Sequence, residues 1–271
     1  MSFYGTSFSF DGVSCEAFDL VLYDINTTEQ GESQFASNVE IEEDRLPRHY
    51  RSVYYGCTQN EALEFTLVMC ANERRVASGV PFDRWDMERI SSWLTGKDGY
   101  RWLQIDQPDM IGRRYRCVIQ ELQAVEVFHG KWGFQCKVSC DSPFAYTTPQ
   151  TFVVEAAGTL EQPTTALIRS ESSYNGWYYP LVSIQLAGGG SISITNKSDF
   201  GYTATLTDLP TAITKVTMNG ETGIIENDAD LNIYSNSNFH FPRLVRGDNQ
   251  LEIIGTGTVT FTCEFPVNVG G

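Results

Sequence analysis

One stretch limits the fold of this chain more than any other. Val80 to Gly99, V-P-F-D-R-W-D-M-E-R-I-S-S-W-L-T-G-K-D-G, carries a helical pattern in a sequence otherwise written in strands and turns. Met87, Ile90 and Leu94 recur at i, i+3 and i+7 with Trp93 beside them, so one face is apolar at the helical period. Asp83 is placed to accept from the free N–H groups of the first turn, with Asp86 and Glu88 near the positive end of the dipole. Gly96 is placed to close the helix in the left-handed conformation. A lone amphipathic helix among strands plugs or flanks a β-sheet, and its periodicity reports burial rather than chemistry.

Around that helix the chain reads as β throughout. Phe3 to Phe10 alternates aromatic and small polar residues and turns at Asp11-Gly12. Phe18–Ile25, Tyr50–Gly56 and Ala62–Cys70 follow as strands before the helix, and Tyr100–Ile105 and Arg114–Ile119 after it. Val125 to Val138 reads as a strand, a tight turn at Gly130 and a returning strand. Pro143 and Pro149 then mark an exit into a linker, because proline cannot donate to a ladder. Beyond Gln150 short strands recur about every ten residues with Gly and Asn turns between them, the rhythm of a β-sandwich. Two domains are expected, 1–148 with its helix near 83–95, and 149–271.

Residues 26–49 break the rhythm and read as a long arm or binding loop. Within it the acidic run Glu40, Glu42, Glu43, Asp44 meets the basic run Arg45, Arg48, Arg51 head to tail. Two readings stay open: a solvated charged loop, or a self-complementary contact between identical subunits.

Charge argues against nucleic acid as a ligand. The net charge is −15, with 14 basic against 22 acidic side chains in residues 1–148 and 5 against 12 in 149–271. Neither half offers a phosphate-binding surface. The seven cysteines, at 15, 57, 70, 117, 136, 140 and 263, show no disulfide-scaffold spacing and suit a reducing compartment. Most sit in strand-like runs, where free cysteine behaves as a small buried hydrophobe. Cys136 and Cys140 share a strand face but stand too far apart for one zinc ion. The first residues lack the basic and apolar regions of a secretory signal, and no run approaches a membrane span, so a soluble cytoplasmic product is expected.

No constellation of catalytic type emerges. His49, His129 and His240 are far apart and outside any metal or nucleophile motif. Gly189-Gly190-Ser191-Ile192-Ser193 fails the nucleophile elbow at its last position, and no Lys-Ser/Thr pair follows the triple glycine. Asp228-x-Asp230-x-Asn232 lacks the sixth-position glycine and twelfth-position glutamate of a calcium loop. No catalytic residue, metal site or cofactor is therefore expected, and the chain is not read as an enzyme. Trp177-Tyr178-Tyr179 remains a candidate contact for a glycan or a partner, since aromatics on a sandwich can stack on sugars. The same three can equally line an inner face or a seam.

In order and spacing, a set of motifs resembles the distal tail proteins of long-tailed, non-contractile bacteriophages. They are F-S-F-D-G (8–12), R-I-S-S-W-L-T-G (89–96) with Leu103-Gln104-Ile105-Asp106, and W-G-F-Q-C-K-V-S-C-D-S-P-F-A-Y (132–146). The second half adds W-Y-Y-P (177–180), S-I-T-N (193–196), V-T-M-N-G-E-T-G-I-I (216–225) and L-V-R-G-D-N-Q-L-E-I-I-G (244–255). The resemblance implies an N-terminal split β-barrel carrying one helix and a C-terminal galectin-like sandwich. It further implies a homohexameric ring that continues the tail tube protein and leaves a central channel through which DNA passes without specific binding. A tail-associated or fibre-hub protein attaches below, and in many members receptor-binding proteins dock outside. In such proteins the segment at 26–49 is an extended loop that embraces the neighbouring subunit. The competing reading is a carbohydrate-binding module for a host-surface glycan.

Overall fold

Alternation builds the first half. In the computed structural model, which describes residues 7–26, 40–58, 61–108, 111–127 and 130–269, Phe65, Leu67, Met69 and Ala71 point inward on one strand while their neighbours point out. His129, the start of the Phe3–Phe10 strand and the middle of the 26–49 segment lie outside the described residues. The chain divides into two compact units, Met1–Tyr146 together with Asn268–Gly271, and Thr147–Val267.

The first unit contains β1 (Ser7–Phe10), β2 (Val13–Ser14), β3 (Leu20–Asn26), β4 (Glu40–Asp44), β5 (Val53–Thr58), β6 (Glu64–Ala71), α1 (Glu73–Ser78), α2 (Arg84–Leu94), β7 (Arg101–Asp106), β8 (Arg113–Val127) and β9 (Gly130–Cys140). β10 (Ala145–Thr147) leads out of it. An antiparallel sheet runs β2-β1-β7-β8-β9-β6-β3 and curls until β1 approaches β3. Its inner face carries Phe8 and Phe10, Leu103 and Ile105, Tyr115 and Cys117, all buried.

α2 plugs this curl, as its period requires. Ile90, Trp93 and Leu94 are buried. Trp93 stacks on Phe18 with centroids 4.4 Å apart, and its indole N–H donates to the Phe10 carbonyl at 3.0 Å. The start is a full capping box: the Asp83 carboxylate accepts from the Asp86 N–H at 2.9 Å, and Asp86 accepts from the Asp83 N–H at 3.2 Å. The end differs from expectation. Thr95 caps it in right-handed geometry, and Gly96 serves close approach instead, because a Cβ there would lie 2.7 Å from the Ser92 carbonyl oxygen. A second helix was not legible. α1 buries none of its residues, so it has no apolar stripe, and only its Asn72 cap and left-handed Gly79 mark it. Arg75 ties the two helices together, bonding to the Asp86 carboxylate and lying 4.2 Å from the Phe82 ring.

The second unit contains β11 (Gln150–Gly158), β12 (Thr164–Ser170), β13 (Leu181–Gln185), β14 (Gly190–Asn196), β15 (Tyr202–Leu209), β16 (Lys215–Asn219), β17 (Ile224–Asn227), β18 (Gly247–Cys263) and β19 (Pro266–Val267). β18 serves both layers of a sandwich. Its first part pairs with β12 and β14, its second with β11 and β13, and β16 and β17 extend the latter sheet. The crossing needs glycine: at Gly255, with φ 123°, a Cβ would sit 2.6 Å from the Ser191 carbonyl oxygen. Between the layers Ile168, Ile184, Ile194, Val216, Ile253 and Phe261 form the core. The architecture is mainly β.

Candidate interaction surfaces

The acidic and basic runs of the long segment fall on an element of their own. Glu40, Glu42, Glu43 and Asp44 lie on β4, which pairs antiparallel with β5 and, among the described residues, with no other strand. This corrects the reading of the segment as loop throughout. Its residues Glu40–Asp44 are a strand whose side chains are all exposed, so burial imposes no alternation that the sequence could display. Arg45, Arg48 and Arg51 sit at the far end, in the turn that joins β4 to β5. There the His49 N–H donates to the Leu46 carbonyl at 3.1 Å, with Pro47 leading and Arg48 at φ 69°. The arm thus has an acidic strand and a basic tip.

The arm is also apolar in a way no solvated loop needs to be. Ile41, Leu46, Tyr50, Tyr54 and Tyr55 are all exposed, Tyr50 to 90%. An isolated two-stranded ribbon is marginal in water. Large exposed apolar patches are a feature of interaction sites in general. Cys57, on β5, is the one cysteine of the seven that is exposed. The expectation that it is buried in a strand fails, because its strand belongs to the arm.

In the second unit the three aromatics part company. Tyr178 is buried, packed on Phe265 with centroids 5.0 Å apart, and its hydroxyl accepts from the Glu264 N–H. It belongs to the core and offers nothing to a ligand. Trp177 is 53% exposed, and Tyr179 is half-buried. Trp177 is held flat from beneath: the Arg243 guanidinium lies 4.0 Å from its ring and 3.6 Å from that of Tyr202, which stacks in turn on His240 at 4.7 Å. The buried Asp199 carboxylate fixes Arg243 by accepting from its Nε at 2.6 Å. Sequence reasoning missed Arg243, Tyr202 and Asp199, since long-range packing alone brings them to Trp177. Chemically the arrangement is a preorganised aromatic platform.

Among the described residues no group of three or more His, Cys, Asp or Glu side chains is placed to hold a metal ion. No helix among the described residues is long and apolar enough to cross a membrane. A polar groove of about 240 Å³ on the outer face of β6, β8 and β9 holds Glu64, Lys137, Gln123 and Gln135, but Glu64 and Lys137 are joined to each other at 2.8 Å.

No curated protein sequence matches the chain. Among solved structures it is similar to the Dit protein of phage SPP1, a hub of the adsorption apparatus in phages that infect Gram-positive bacteria. Identity is 12% over 96% of this chain and 98% of that one, with a TM-score of 0.63. A chain of the phage P2 baseplate is similar at 9% identity over 91% of this chain and 90% of that one, with a TM-score of 0.53. At such identities the likeness is one of fold. Family models speak to kinship: one described as a phage tail protein N-terminal domain matches residues 3–142, and one described as a phage tail C-terminal domain matches 144–263. The first alone spans more than half of the sequence, and the chain belongs to this family of phage tail proteins.

Proposed function

We propose that this chain is a non-enzymatic structural hub at the distal end of a phage tail. Six copies close into a ring through their first units, continuing the tail tube protein and leaving a channel. A tail-associated or fibre-hub protein docks on the ring, and receptor-binding proteins attach at its periphery. The observation that carries this reading is the β4–β5 arm: a ribbon standing outside both sheets, apolar on exposed faces, acidic along one strand and basic at its tip. A second copy of the chain offers both signs of charge in the same place, as an interface between identical subunits requires. Glu40, Glu42, Glu43 and Asp44 of one copy are assigned to face Arg45, Arg48 and Arg51 of the next. The charge of −15 suits a conduit, because an acidic wall repels DNA and lets it pass without sticking. Kinship with phage tail proteins and the shared fold with a hub support the same reading.

Native mass spectrometry tests it directly, with a six-fold multiple of the chain mass expected at high concentration. Cys57 supplies a local reporter. Maleimide labelling of this thiol should be fast in dilute monomer and slow in the assembly, while a chain that stays monomeric with Cys57 freely labelled at every concentration would refute the ring.

A second reading rests on Trp177, which Arg243 holds in a ladder with Tyr202. On this reading the sandwich stacks on a ring of a host-surface glycan. A glycan array separates the two, since signal lost on Trp177→Ala belongs to this reading alone.

A further inference from the structure

β8 and β9 bring two cysteines face to face. Cys117 is the direct partner of Cys140 in the antiparallel register. The hydrogen bonds around them show which kind of pair this is. One step along, the Asp141 N–H donates to the Arg116 carbonyl at 3.0 Å, while the Cys140 N–H turns the other way and donates to the Leu63 carbonyl at 2.9 Å. Cys117 likewise has Arg101 of β7 as its partner on its other side. Hydrogen-bonded and non-hydrogen-bonded pairs alternate along an antiparallel ladder, so Cys117 and Cys140 are a non-hydrogen-bonded pair, with Cα atoms about 4.5 Å apart. Both side chains enter the interior of the curled sheet, where Cys117 is 0% and Cys140 4% exposed.

A disulfide asks for Cα atoms roughly 4.4–6.8 Å apart and Cβ atoms roughly 3.5–4.5 Å apart on a common face. This pair meets that demand, and the cysteine next to it does not. Cys136 shares the face but stands four residues along β9, roughly 13 Å away at the strand rise, and its partner on β6 is Leu67.

We propose that Cys117 and Cys140 form a latent cross-strand disulfide, a staple inside the first unit that closes when the folded chain passes from a reducing compartment to an oxidising one. The S–S bond forms between the two Sγ atoms as both S–H bonds break. Two electrons pass to the oxidant, so hydrogen peroxide leaves as two waters, or a low-molecular-weight disulfide leaves as two thiols. Burial sets the pace. Desolvation holds both thiols protonated: Cys140 is pushed up to about 12, with Asp141 and Glu64 adding to the effect, and Cys117 is raised further, with the Cys140 and Cys136 thiols and Asp141 adding. Thiolate is the attacking form, so closure in the native chain is slow and follows local opening of the strands. The pairing stands independently of the ring, since both residues belong to one copy.

The test uses the full chain in two preparations. One is the folded, reduced protein held for days in glutathione buffer of oxidising ratio, and the other is the same protein refolded from denaturant in that buffer. Free thiols are then blocked in denaturant and the peptides mapped. Five blocked cysteines and one peptide linking Cys117 to Cys140 are expected, with a melting temperature higher by about 5 °C that falls back on reduction. Cys117→Ser and Cys140→Ser should each abolish the link and the reversible shift, while Cys136→Ser keeps both. A link in both samples, arriving more slowly in the folded one, supports the proposal; a link in the refolded sample alone overturns closure in the folded chain. Seven blocked cysteines in both samples, or Cys136 in place of either partner, overturns it.

Discussion

Two antiparallel pairs in the first unit show how differently one kind of ladder can be used. β8 and β9 alternate strictly where they cross the core, burying Tyr115, Cys117 and Ile119 against Phe134, Cys136 and Val138, and their free sides are covered by β7 and β6. β4 and β5 have the same hydrogen-bonding scheme and bury nothing on β4. The first pair carries the partners it needs within its own chain. The second presents tyrosines and an isoleucine to solvent. If the arm is the contact between copies proposed above, stability and assembly fall on separate strands, and substitutions can pull the two apart.

The widest separation should come from Phe134 and Tyr54. Phe134 is 2% exposed and packs against Phe82 at 5.1 Å. Phe134→Ala is expected to cost about 3–5 kcal/mol in urea unfolding. Tyr54, on the arm, is 61% exposed. Tyr54→Ala is expected to leave unfolding within about 0.5 kcal/mol while weakening self-association in sedimentation. An arm variant that unfolds the chain as badly as the core variant would erase the distinction.

Charge reversal sharpens it next. Glu42→Lys with Glu43→Lys should weaken association about tenfold or more at low salt and leave monomer unfolding unchanged. Adding Arg45→Glu and Arg48→Glu should restore part of it, because opposed signs return on both sides of the contact. Salt near 0.5 M should narrow the gap between wild type and the reversed arm, since exposed pairs are screened within a few ångströms there. A loss of affinity indifferent to salt would move the contact off these residues.

The same contrast explains what could be read in advance. α2 and most strands of both sheets were legible because burial on one side stamps a period of 3.6 or 2 on the sequence, as in Phe65-Leu67-Met69, whereas β12 was not read as a strand. β4 was not, since a strand exposed on both faces is under no such demand, and neither was α1, which buries none of its residues. Trp177 was visible as an aromatic, but its ladder with Arg243 and Tyr202 spans distant turns, and Tyr178 beside it turned out to be core. The pairing of Cys117 with Cys140 is likewise a matter of register, which local pattern does not carry.

A smaller effect lies where the buried ladder ends. Burial raises the Asp141 carboxyl above its ordinary 3.8, only partly offset by the Tyr146 hydroxyl donating at 3.1 Å and by Arg116 at 3.5 Å. A carboxyl that holds its proton more tightly folded than unfolded makes the fold lose stability as pH rises from 3.8 through the raised value. Glu64 has the opposite sign: Lys137 and then Ser139 lower its carboxyl, so its contribution is lost as pH falls below its ordinary 4.5. Asp141→Asn should therefore make urea midpoints climb more steeply between pH 3 and 6 than in wild type, and Glu64→Gln less steeply. Parallel curves for Asp141→Asn and wild type would show that Asp141 titrates alike in both states.

The finest test sits at the tip of the arm, where fold and contact meet in one residue. Arg48 occupies the turn after Pro47 at φ 69°, a region where a Cβ is strained and glycine or asparagine is at home. Arg48→Gly relieves that strain but gives the unfolded chain more freedom, so the two terms nearly cancel, to within about 0.5 kcal/mol. Arg48→Asn keeps a side chain that tolerates the geometry and should make the turn firmer by a few tenths of a kcal/mol. Global unfolding is too coarse to see this, because β4 and β5 form a two-stranded sheet of their own and a few tenths of a kcal/mol there lie within its error. Hydrogen exchange of the β4 and β5 amides in the monomer reads it directly, and Arg48→Asn should slow that exchange. Both variants remove the same positive charge from the tip, so both should weaken association, whatever they do to the turn. If the asparagine variant instead firms the arm and assembles better than wild type, the basic tip serves the turn alone and the contact between copies lies along the tyrosines.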